Sequence, residues 1–537
     1  MPIIRTENDH GNDIVSGDSE ASDLNVRLLA NGSSQIEPWY TEELREKADL
    51  SQAVSDRYRC PDAFLNFALC DQLSSGEENF RFGSHATCYG YSRSGVCQAQ
   101  VDSFLEDTLK EVVVDQGQVK LPFDPTRIID NLRLERYADA DTIWNGSENW
   151  LRKLYYLLRP FMSPALRKQV QRFHARSWRQ LSFPRWPVDT TVEDICEKLL
   201  LLSMEARGVD RVPFVWFWPE GAGGCVIMTH DVETEAGRDF CADLMDLDDV
   251  FGIKAPFQIV PEGRYAVSPG FLQTIRDRGF DFGIHDWNHD GRLFDDREEF
   301  LRRAAIINRY GTEHAARGFR AGLLYRKPEW YDSLNFSFDM SIPNVAHLDP
   351  QRGGCCTVMP YFIGNILELP VTTAQDYTLF HLLNDRSIEL WKTQIELILE
   401  KNGLASFIVH PDYIIDRETR SVYTNLLDHL RSLGEKKPIW FGLPAEVDSW
   451  WRSRSKMSIE KTGNSWRVVG EGADRAVLAY ATNVDGKLVY EIPSLREDRS
   501  QAGDAGRSYQ YRVSQRSLRK ATSLDARTFS GADEARP

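Results

Sequence analysis

Short apolar runs alternate with helix-type patterns between residues 221 and 457. Eight runs predict strands: CVIMTH (225–230), APFQIV (255–260), FDFGIH (280–285), GFRAGLL (318–324), FSFDMS (336–341), ILELPV (366–371), ASFIVH (405–410) and IWFG (439–442). The segments between them place apolar residues three or four positions apart, as in PGFLQTIRDRG, DREEFLRRAAIINRYG and SIELWKTQIELILEKNG, which is typical of surface helices. Strands that alternate with helices favour a parallel sheet. Seven or eight such units predict an α/β fold built on a distorted (β/α)7-8 barrel.

The pattern differs on both sides of this region. Residues 1–54 are polar and acidic and predict a disordered tail, because they offer few apolar side chains to bury. Residues 55–220 combine polar stretches with helical periodicity and predict a separate, mixed but mainly helical N-terminal module. Residues 458–495 alternate apolar and polar positions around turns at TGN, EGAD and VDGK, which predicts a small antiparallel β appendix. Residues 496–537 are rich in Ser, Arg and Ala and predict a second disordered tail.

The overall charge and the apolar runs exclude several classes of partner. The chain has 64 Lys and Arg against 80 Asp and Glu, a net charge of −16, which repels phosphate backbones and argues against nucleic acid as a partner. The first residues lack an apolar segment behind a basic start, and no stretch approaches the roughly 18 apolar residues of a membrane span. We therefore expect a cytoplasmic protein without a membrane span.

The nine cysteines form an odd set without C-x-x-C spacing, so neither a disulfide framework nor a zinc ribbon is indicated. His85, Cys88 and Cys97 lie close together in sequence and could hold a metal ion. Their spacing matches no known ligand pattern, so structural roles are the favoured interpretation.

A second set of metal-ligand residues is His285 and His289, in the segment HDWNH. If this segment is helical, positions i and i+4 share one face and both imidazoles could bind one ion. Since a catalytic site usually takes three protein ligands, another ligand must come from elsewhere in the chain. The alternative is an exposed helix start that holds two histidines by chance.

Polar side chains recur where the predicted strands end. These positions are His230, Asp231 and Glu233 in THDVE, the two histidines of HDWNH, Arg320 in FRAG, Glu368 in ELPV, and His410 and Asp412 in VHPD. In β/α barrels, functional residues gather at the carboxyl ends of the strands, because the loops there converge on one mouth. We therefore expect these side chains to form one site.

The succession THDVE, HDWNH, FRAG, ELPV and VHPD resembles the polysaccharide deacetylase (NodB-like) family, carbohydrate esterase family four. The resemblance covers about residues 222–455 and none of the flanks. It implies a distorted β/α barrel of the polysaccharide deacetylase type. It also implies a metal-dependent hydrolase that removes acetyl groups from N-acetylated sugars.

The resemblance also implies roles for individual residues. Asp231 would be the general base, oriented by Arg320, and His410 would be the general acid. Glu233 would bind the metal ion together with His285 and His289, although Val232 separates the two acids here, which leaves open which acid holds the ion. A carboxylate and two imidazoles suit a divalent ion, zinc first and cobalt or nickel as alternatives.

Three further residues are candidates for substrate binding. Leu323 or a neighbour would supply the backbone N–H that stabilises the oxyanion, although the family's proline after the arginine is missing from RAG. Trp287 could stack on a sugar ring or pack at the base of the loop. Asp339 could tune His410 or contact the sugar.

Two alternatives to sugar deacetylation remain open. One is a hydrolase of a cyclic amide or ureide on the same fold, so that the substrate would be a small-molecule amide instead of a carbohydrate. The other is a catalytically inactive carbohydrate-binding or scaffold protein, which the altered first motif and the large flanks would suit. A stoichiometric metal ion favours an enzyme, and the absence of an ion together with tight sugar binding favours the inactive alternative.

Overall fold

The computed structural model describes residues 49–70, 73–74, 76–93, 105–115, 117–140, 175–463 and 465–493. The predicted tail 496–537 and nearly all of the tail 1–54 lie outside these residues. Within them no helix is both long enough and apolar enough to cross a bilayer.

The α-helices are α1 (Gln52–Tyr58), α2 (Pro125–Arg133), α3 (Arg136–Ala140), α4 (Thr191–Arg207), α5 (Glu235–Phe251), α6 (Pro269–Asp277), α7 (Arg297–Glu313), α8 (Glu389–Glu400), α9 (Arg417–Lys436) and α10 (Pro444–Ser455). The strands are β1 (Phe67–Leu69), β2 (Glu78–Phe82), β3 (Ala86–Gly90), β4 (Val113–Asp115), β5 (Gln118–Leu121), β6 (Arg211–Val215), β7 (Cys225–Val232), β8 (Pro256–Ile259), β9 (Asp281–His285), β10 (Gly318–Arg320), β11 (Phe338–Asp339), β12 (Tyr361–Ile363), β13 (Ile366–Glu368), β14 (Leu404–Val409), β15 (Trp440–Phe441), β16 (Ser458–Thr462), β17 (Ser465–Val469), β18 (Leu478–Val484) and β19 (Lys487–Glu491).

The main sheet runs in the order β12-β13-β11-β10-β9-β8-β7-β14, with β15 beside β7. Each of the eight predicted strands is present, and these eight pair in parallel, as the alternation of strands and helices predicted. The three segments quoted above as surface helices, PGFLQTIRDRG, DREEFLRRAAIINRYG and SIELWKTQIELILEKNG, form α6, α7 and α8. Strand β12 was not predicted; it is short and pairs antiparallel with β13 across the turn at Gly364. The α/β fold class is therefore confirmed.

The sheet curls until its ends meet at a seam formed by Thr372 and Thr373 against β14. The Thr372 hydroxyl donates to the Leu404 carbonyl at 2.7 Å, and the Thr373 N–H donates to the Ser406 carbonyl at 3.3 Å. These contacts replace a regular strand ladder, so the barrel is distorted at this point. The carboxyl ends of β7, β9, β10 and β14 share one mouth.

The region between β9 and α7 corrects one prediction. His285 is the last residue of β9, and α7 begins only at Arg297. Asp286 and His289 have positive φ angles of 59° and 55°, which a helix does not allow. The helical interpretation of HDWNH, including an exposed helix start, is therefore wrong, because spacing alone does not distinguish a helical turn from a compact loop.

The flanking segments pack against the barrel. Strand β6 precedes the barrel and pairs antiparallel with β18, which follows it and forms a hairpin with β19; β16 and β17 form another hairpin. The turns predicted at TGN and VDGK are therefore where the hairpins reverse. One of the two large apolar clusters joins residues of α1, α4, β6 and β18 to residues of the barrel strands, among them Cys225 and Ile227 of β7. The described cysteines are all buried, including Cys88 in β3, while His85 is exposed and Cys97 lies outside the described residues.

Candidate active site

Two acids at the end of β7 lie at the centre of the mouth. Successive strand residues point to opposite faces, so Thr229, Asp231 and Glu233 share the face that lines the barrel. His230 points the other way, and its Nε2 lies 2.9 Å from Asp248 Oδ2 of α5. His230 is therefore outside the site, although the strand-end pattern had included it.

Glu233 approaches three imidazole rings. Its Oε1 lies 2.9 Å from His289 Nε2, 3.6 Å from His285 Nε2 and 3.4 Å from His410 Nε2. Burial raises the pKa of Glu233, but His289 and His285 outweigh it and hold the pKa well below its ordinary value. Glu233 is therefore ionised and concentrates negative charge among the rings.

The residues Glu233, His285 and His289 fit a divalent ion. Their ligand atoms all lie within 4.8 Å of one another. Ligands about 2.1 Å from a tetrahedral zinc ion are separated by roughly 3.4 Å, which agrees with this spacing. Among the described side chains, the buried Nε2 of His285 has no hydrogen-bond partner. An orphaned imidazole nitrogen that faces a carboxylate is the arrangement that a metal ion completes.

The Nδ1 atoms of His285 and His289 have different hydrogen-bonding partners. His285 Nδ1 lies 3.2 Å from the Arg320 carbonyl oxygen, so this ring can donate its N–H outward and keep the Nε2 lone pair for an ion. His289 Nδ1 instead lies 3.3 Å from the Arg264 guanidinium, which is a donor. His285 is therefore the better prepared of the two imidazole ligands.

Asp231 is held by Arg320, as the motifs implied. Arg320 is fully buried, and its Nη1 donates to Asp231 Oδ1 at 2.5 Å and to the Thr229 hydroxyl at 2.8 Å. Burial raises the pKa of Asp231, but Arg320 and His285 outweigh it and lower the pKa below its ordinary value. Asp231 Oδ2 lies 3.7 Å from His285 Nε2. This carboxylate is therefore ionised, oriented and next to the candidate ion position.

His410 is held by Asp376, a residue that the sequence analysis did not select. Asp376 Oδ1 lies 2.6 Å from His410 Nδ1, and Asp376 Oδ2 accepts the His410 backbone N–H at 2.7 Å. Burial lowers the pKa of His410, but Asp376 outweighs it and raises the pKa well above its ordinary value. The signal that could have found Asp376 is its position five residues after the predicted strand ILELPV, where the strand-end rule was applied only to Glu368.

Asp376 makes the contact with His410 that was predicted for Asp339. The buried Asp339 carboxylate accepts hydrogen bonds from the Ser341 hydroxyl at 2.7 Å and from the Ser341 N–H at 3.1 Å. It is aligned with Glu368 of the neighbouring strand, and both side chains are 0 % exposed. Neither carboxylate can therefore contact a substrate in this conformation.

The two other predicted substrate contacts lie at the mouth. Leu323 is in a turn after β10 with a φ of 59°, next to Leu324 with 53°. Trp287 follows β9 and is half-buried, with the Arg302 and Arg303 guanidinium carbons 5.3 and 5.4 Å from its ring centre. The ring therefore packs on α7, and stacking on a sugar stays a prediction.

Comparisons with known proteins match this chain by structure only. No protein-family profile matches it, and neither does any curated protein sequence. Among solved structures, a candidate polysaccharide deacetylase of Mycobacterium smegmatis matches at 17 % identity and a TM-score of 0.38, over 47 % of this chain and 98 % of that one.

Two further solved structures match at 12 % identity. A candidate polysaccharide deacetylase of Pseudomonas aeruginosa PAO1 covers 44 % of this chain and 93 % of its own, with a TM-score of 0.35. The Puue allantoinase covers 44 % and 92 %, with a TM-score of 0.34. Polysaccharide deacetylases are thus among the solved structures that this chain resembles, as its motifs predicted, while its function has to be argued from its own site.

Proposed function

We propose that this chain is a metal-dependent amide hydrolase that removes the acetyl group of an N-acetylated sugar, in a polysaccharide or its precursor. The observation that carries the proposal is the convergence of Glu233, His285 and His289 within 4.8 Å, beside a base and an acid that are each held by a partner. A cytoplasmic location, as the sequence predicts, would favour a precursor as the substrate.

The residues divide the reaction between them. A divalent ion bound by Glu233, His285 and His289, zinc or alternatively cobalt or nickel, would activate the amide carbonyl and a water molecule as a Lewis acid. Asp231 accepts a proton from the water that attacks the carbonyl carbon, and Arg320 keeps the Asp231 carboxylate ionised and oriented.

The acid completes the hydrolysis. As the carbon–nitrogen bond breaks, His410 donates a proton to the nitrogen, which leaves as a neutral amine while acetate is released. Asp376 stabilises the charged form of His410 before that transfer. The backbone N–H of Leu323 would stabilise the negative charge on the carbonyl oxygen, since its turn borders the mouth.

Two conservative variants test the assignment of the acids. Asp231→Asn should retain the metal ion and abolish acetate release, because it removes the base but no ligand. Glu233→Gln should lower the metal content, because it removes a charged ligand. Metal analysis and acetate release are measured on the same preparations. The reverse pattern would exchange the two roles, and a wild-type chain that binds no divalent ion would support the inactive scaffold instead.

A further inference from the structure

Strand β8 lies between the two strands that lead to the candidate metal ligands. Its neighbour β7 leads to Glu233, and its other neighbour β9 ends at His285 and is followed by His289. The residues after β8, 260–265, contribute no member to the ligand cluster, and we refer to them as the β8 loop. Because the carboxyl ends of neighbouring parallel strands lie side by side, the β8 loop lies between the segment of Glu233 and the segment of His289.

The segment that carries His289 has an unfavourable backbone conformation. Asp286 and His289 both have positive φ angles, a region that costs a residue other than glycine roughly 1–3 kcal/mol. Such a conformation persists only where surrounding contacts hold it. The carbonyl groups of Trp287, Asn288 and His289 each accept a hydrogen bond, and all three donors belong to the β8 loop. The β8 loop is therefore a support of the His289 segment.

Arg264 supplies two of these three donors. Its Nε donates to the Asn288 carbonyl at 3.3 Å, and its Nη2 donates to the His289 carbonyl at 2.5 Å. The third donor is the Glu262 N–H, 3.2 Å from the Trp287 carbonyl. A hydrogen bond from a charged donor is roughly twice as strong as one between neutral groups. Arg264 thus makes the strongest of the contacts that hold the backbone of His289.

The β8 loop also contacts the segment of Glu233. The Tyr265 hydroxyl donates to the Val232 carbonyl at 2.7 Å and accepts the Val260 N–H at 3.0 Å. The Val232 carbonyl belongs to the peptide group that joins Val232 to Glu233. Tyr265 therefore fixes the peptide group directly before this ligand.

A second contact of Arg264 acts in the opposite direction. Its Nη2 lies 3.3 Å from Nδ1 of the His289 ring. A ring that binds an ion through Nε2 carries its proton on Nδ1, where it would face another donor. This contact is longer than the 2.5 Å contact with the His289 carbonyl. We therefore expect the support of the backbone to outweigh the unfavourable contact with the ring.

We propose that the β8 loop positions two of the three candidate metal ligands, with Arg264 acting on His289 and Tyr265 acting on Glu233. The inference rests on the proposed function, since it concerns the metal ion of that reaction. Both residues act through backbone carbonyl groups and neither binds the ion. His285 is independent of the loop, because it lies in β9 and pairs with Arg320 of β10.

The test uses the full chain and two measurements. Isothermal titration gives the affinity for zinc, and the visible absorption spectrum of the cobalt-loaded chain reports how the ligands are arranged around the ion. Arg264→Ala should weaken zinc binding by roughly 10–100-fold and change the cobalt spectrum. Arg264→Lys should recover part of the affinity, since lysine returns a charged donor.

Tyr265→Phe removes only the hydroxyl group and should weaken zinc binding by a smaller factor, again with a changed cobalt spectrum. Arg292→Ala is the control. Arg292 is exposed and lies three residues after His289, so its replacement should change neither measurement. Urea unfolding of the zinc-free proteins shows how much stability each variant has lost.

Three results would overturn the role of the β8 loop and leave the proposed function intact. The first is wild-type zinc affinity in folded Arg264→Ala and Tyr265→Phe. The second is tighter zinc binding in Arg264→Ala, which would show that the contact with the His289 ring dominates. The third is weaker zinc binding with an unchanged cobalt spectrum and an equal loss of stability in the zinc-free chain, which would show a structural role only. A wild-type chain that binds no zinc would overturn both this inference and the proposed function.

Discussion

Three ionised side chains lie within a few ångströms in the mouth, and each is controlled by a different partner. Arg320 holds Asp231, the imidazoles surround Glu233, and Asp376 holds His410. Because opposite charges are paired one by one, the site keeps two carboxylates ionised in a buried position. This pairing separates the proposed base Asp231, the proposed ligand Glu233 and the proposed acid His410 from one another.

His410, the proposed general acid, can be replaced without changing any of the proposed metal ligands. His410→Ala should lower the rate of acetate release by roughly 10²–10⁴, because the amine then leaves without a positioned proton donor. The affinity for the metal ion should change little, since His410 does not belong to the cluster of Glu233, His285 and His289. Asp376→Asn should produce a smaller loss in the same direction. A variant that loses its metal ion would show that His410 is a ligand.

A second histidine should make the stability of the protein depend on pH. Burial and, after it, the nearby charge of Arg352 lower the pKa of His347 to about 4, and the residue is 2 % exposed. The unfolded chain takes up this proton near pH 6.5, before the folded chain does, so stability is complete above that pH and falls towards pH 4.

The loss from this histidine is up to about 3 kcal/mol across that window. His347→Phe should remove this part of the acid sensitivity while the other titrating groups keep theirs. Urea unfolding at pH 7.5 and pH 4.5 measures the difference for both proteins. Equal differences would show that His347 takes up its proton at the same pH in the folded and the unfolded chain.

At the scale of elements, the strands and their ends could be predicted because buried strands appear in the sequence as short apolar runs. The runs 225–230 and 405–410 became β7 and β14, and Asp231 and His410, the proposed base and acid, lie at the carboxyl ends of these two strands. The loop that carries His289 could not be predicted, since its conformation depends on two residues with positive φ. The position of Asp376, five residues beyond a predicted strand, marks it as a candidate, but its contact with His410 could not be predicted because that contact depends on how the chain crosses the seam.

One glycine determines how closely two of these loops approach. A Cβ atom at Gly322 would lie 2.7 Å from Asp286 Oδ2 and 3.2 Å from His289 Cδ2. Gly322→Ala should therefore displace the His289 loop, lower the affinity for the metal ion and destabilise the fold by about 1–3 kcal/mol. Gly270→Ala is the control, since a Cβ there meets nothing within 4 Å. Isothermal titration with zinc and urea unfolding check both variants, and unchanged zinc affinity in Gly322→Ala would contradict the prediction.

At the scale of the whole molecule, buried polar contacts connect the N-terminal module to the barrel, and no pattern in the sequence predicted them. Glu135, after α2, binds Arg326 of the barrel through two contacts of 2.5 Å, with side chains 6 % and 0 % exposed. Glu135 also accepts the Gly354 N–H at 2.5 Å. Glu135 and Arg326 are 191 positions apart in sequence, and only the folded structure shows that they are in contact. The boundaries of the domains therefore stay a prediction.

This buried pair gives a test of how firmly the two parts are joined. Glu135→Ala should destabilise the protein by about 3–5 kcal/mol, because it leaves the Arg326 charge buried without its partner. The double variant Glu135→Leu with Arg326→Met should be less destabilised, since it removes both charges. Glu460→Ala breaks the exposed pair with Arg467 and should change stability by at most about 1 kcal/mol. Urea unfolding measures all three, and a small effect in Glu135→Ala would mean that water reaches Arg326.

The pairing of β6 with β18 has a consequence for the synthesis of the protein on the ribosome. More than 260 residues separate the two strands, and the whole barrel lies between them. At about 5–20 residues per second, β6 has been outside the ribosome for roughly 13–50 s before β18 is synthesised. During that time one long edge of β6 has no strand beside it, and an open edge can pair with a neighbouring chain. The growing chain therefore exposes an edge of β6 that β18 covers in the folded protein.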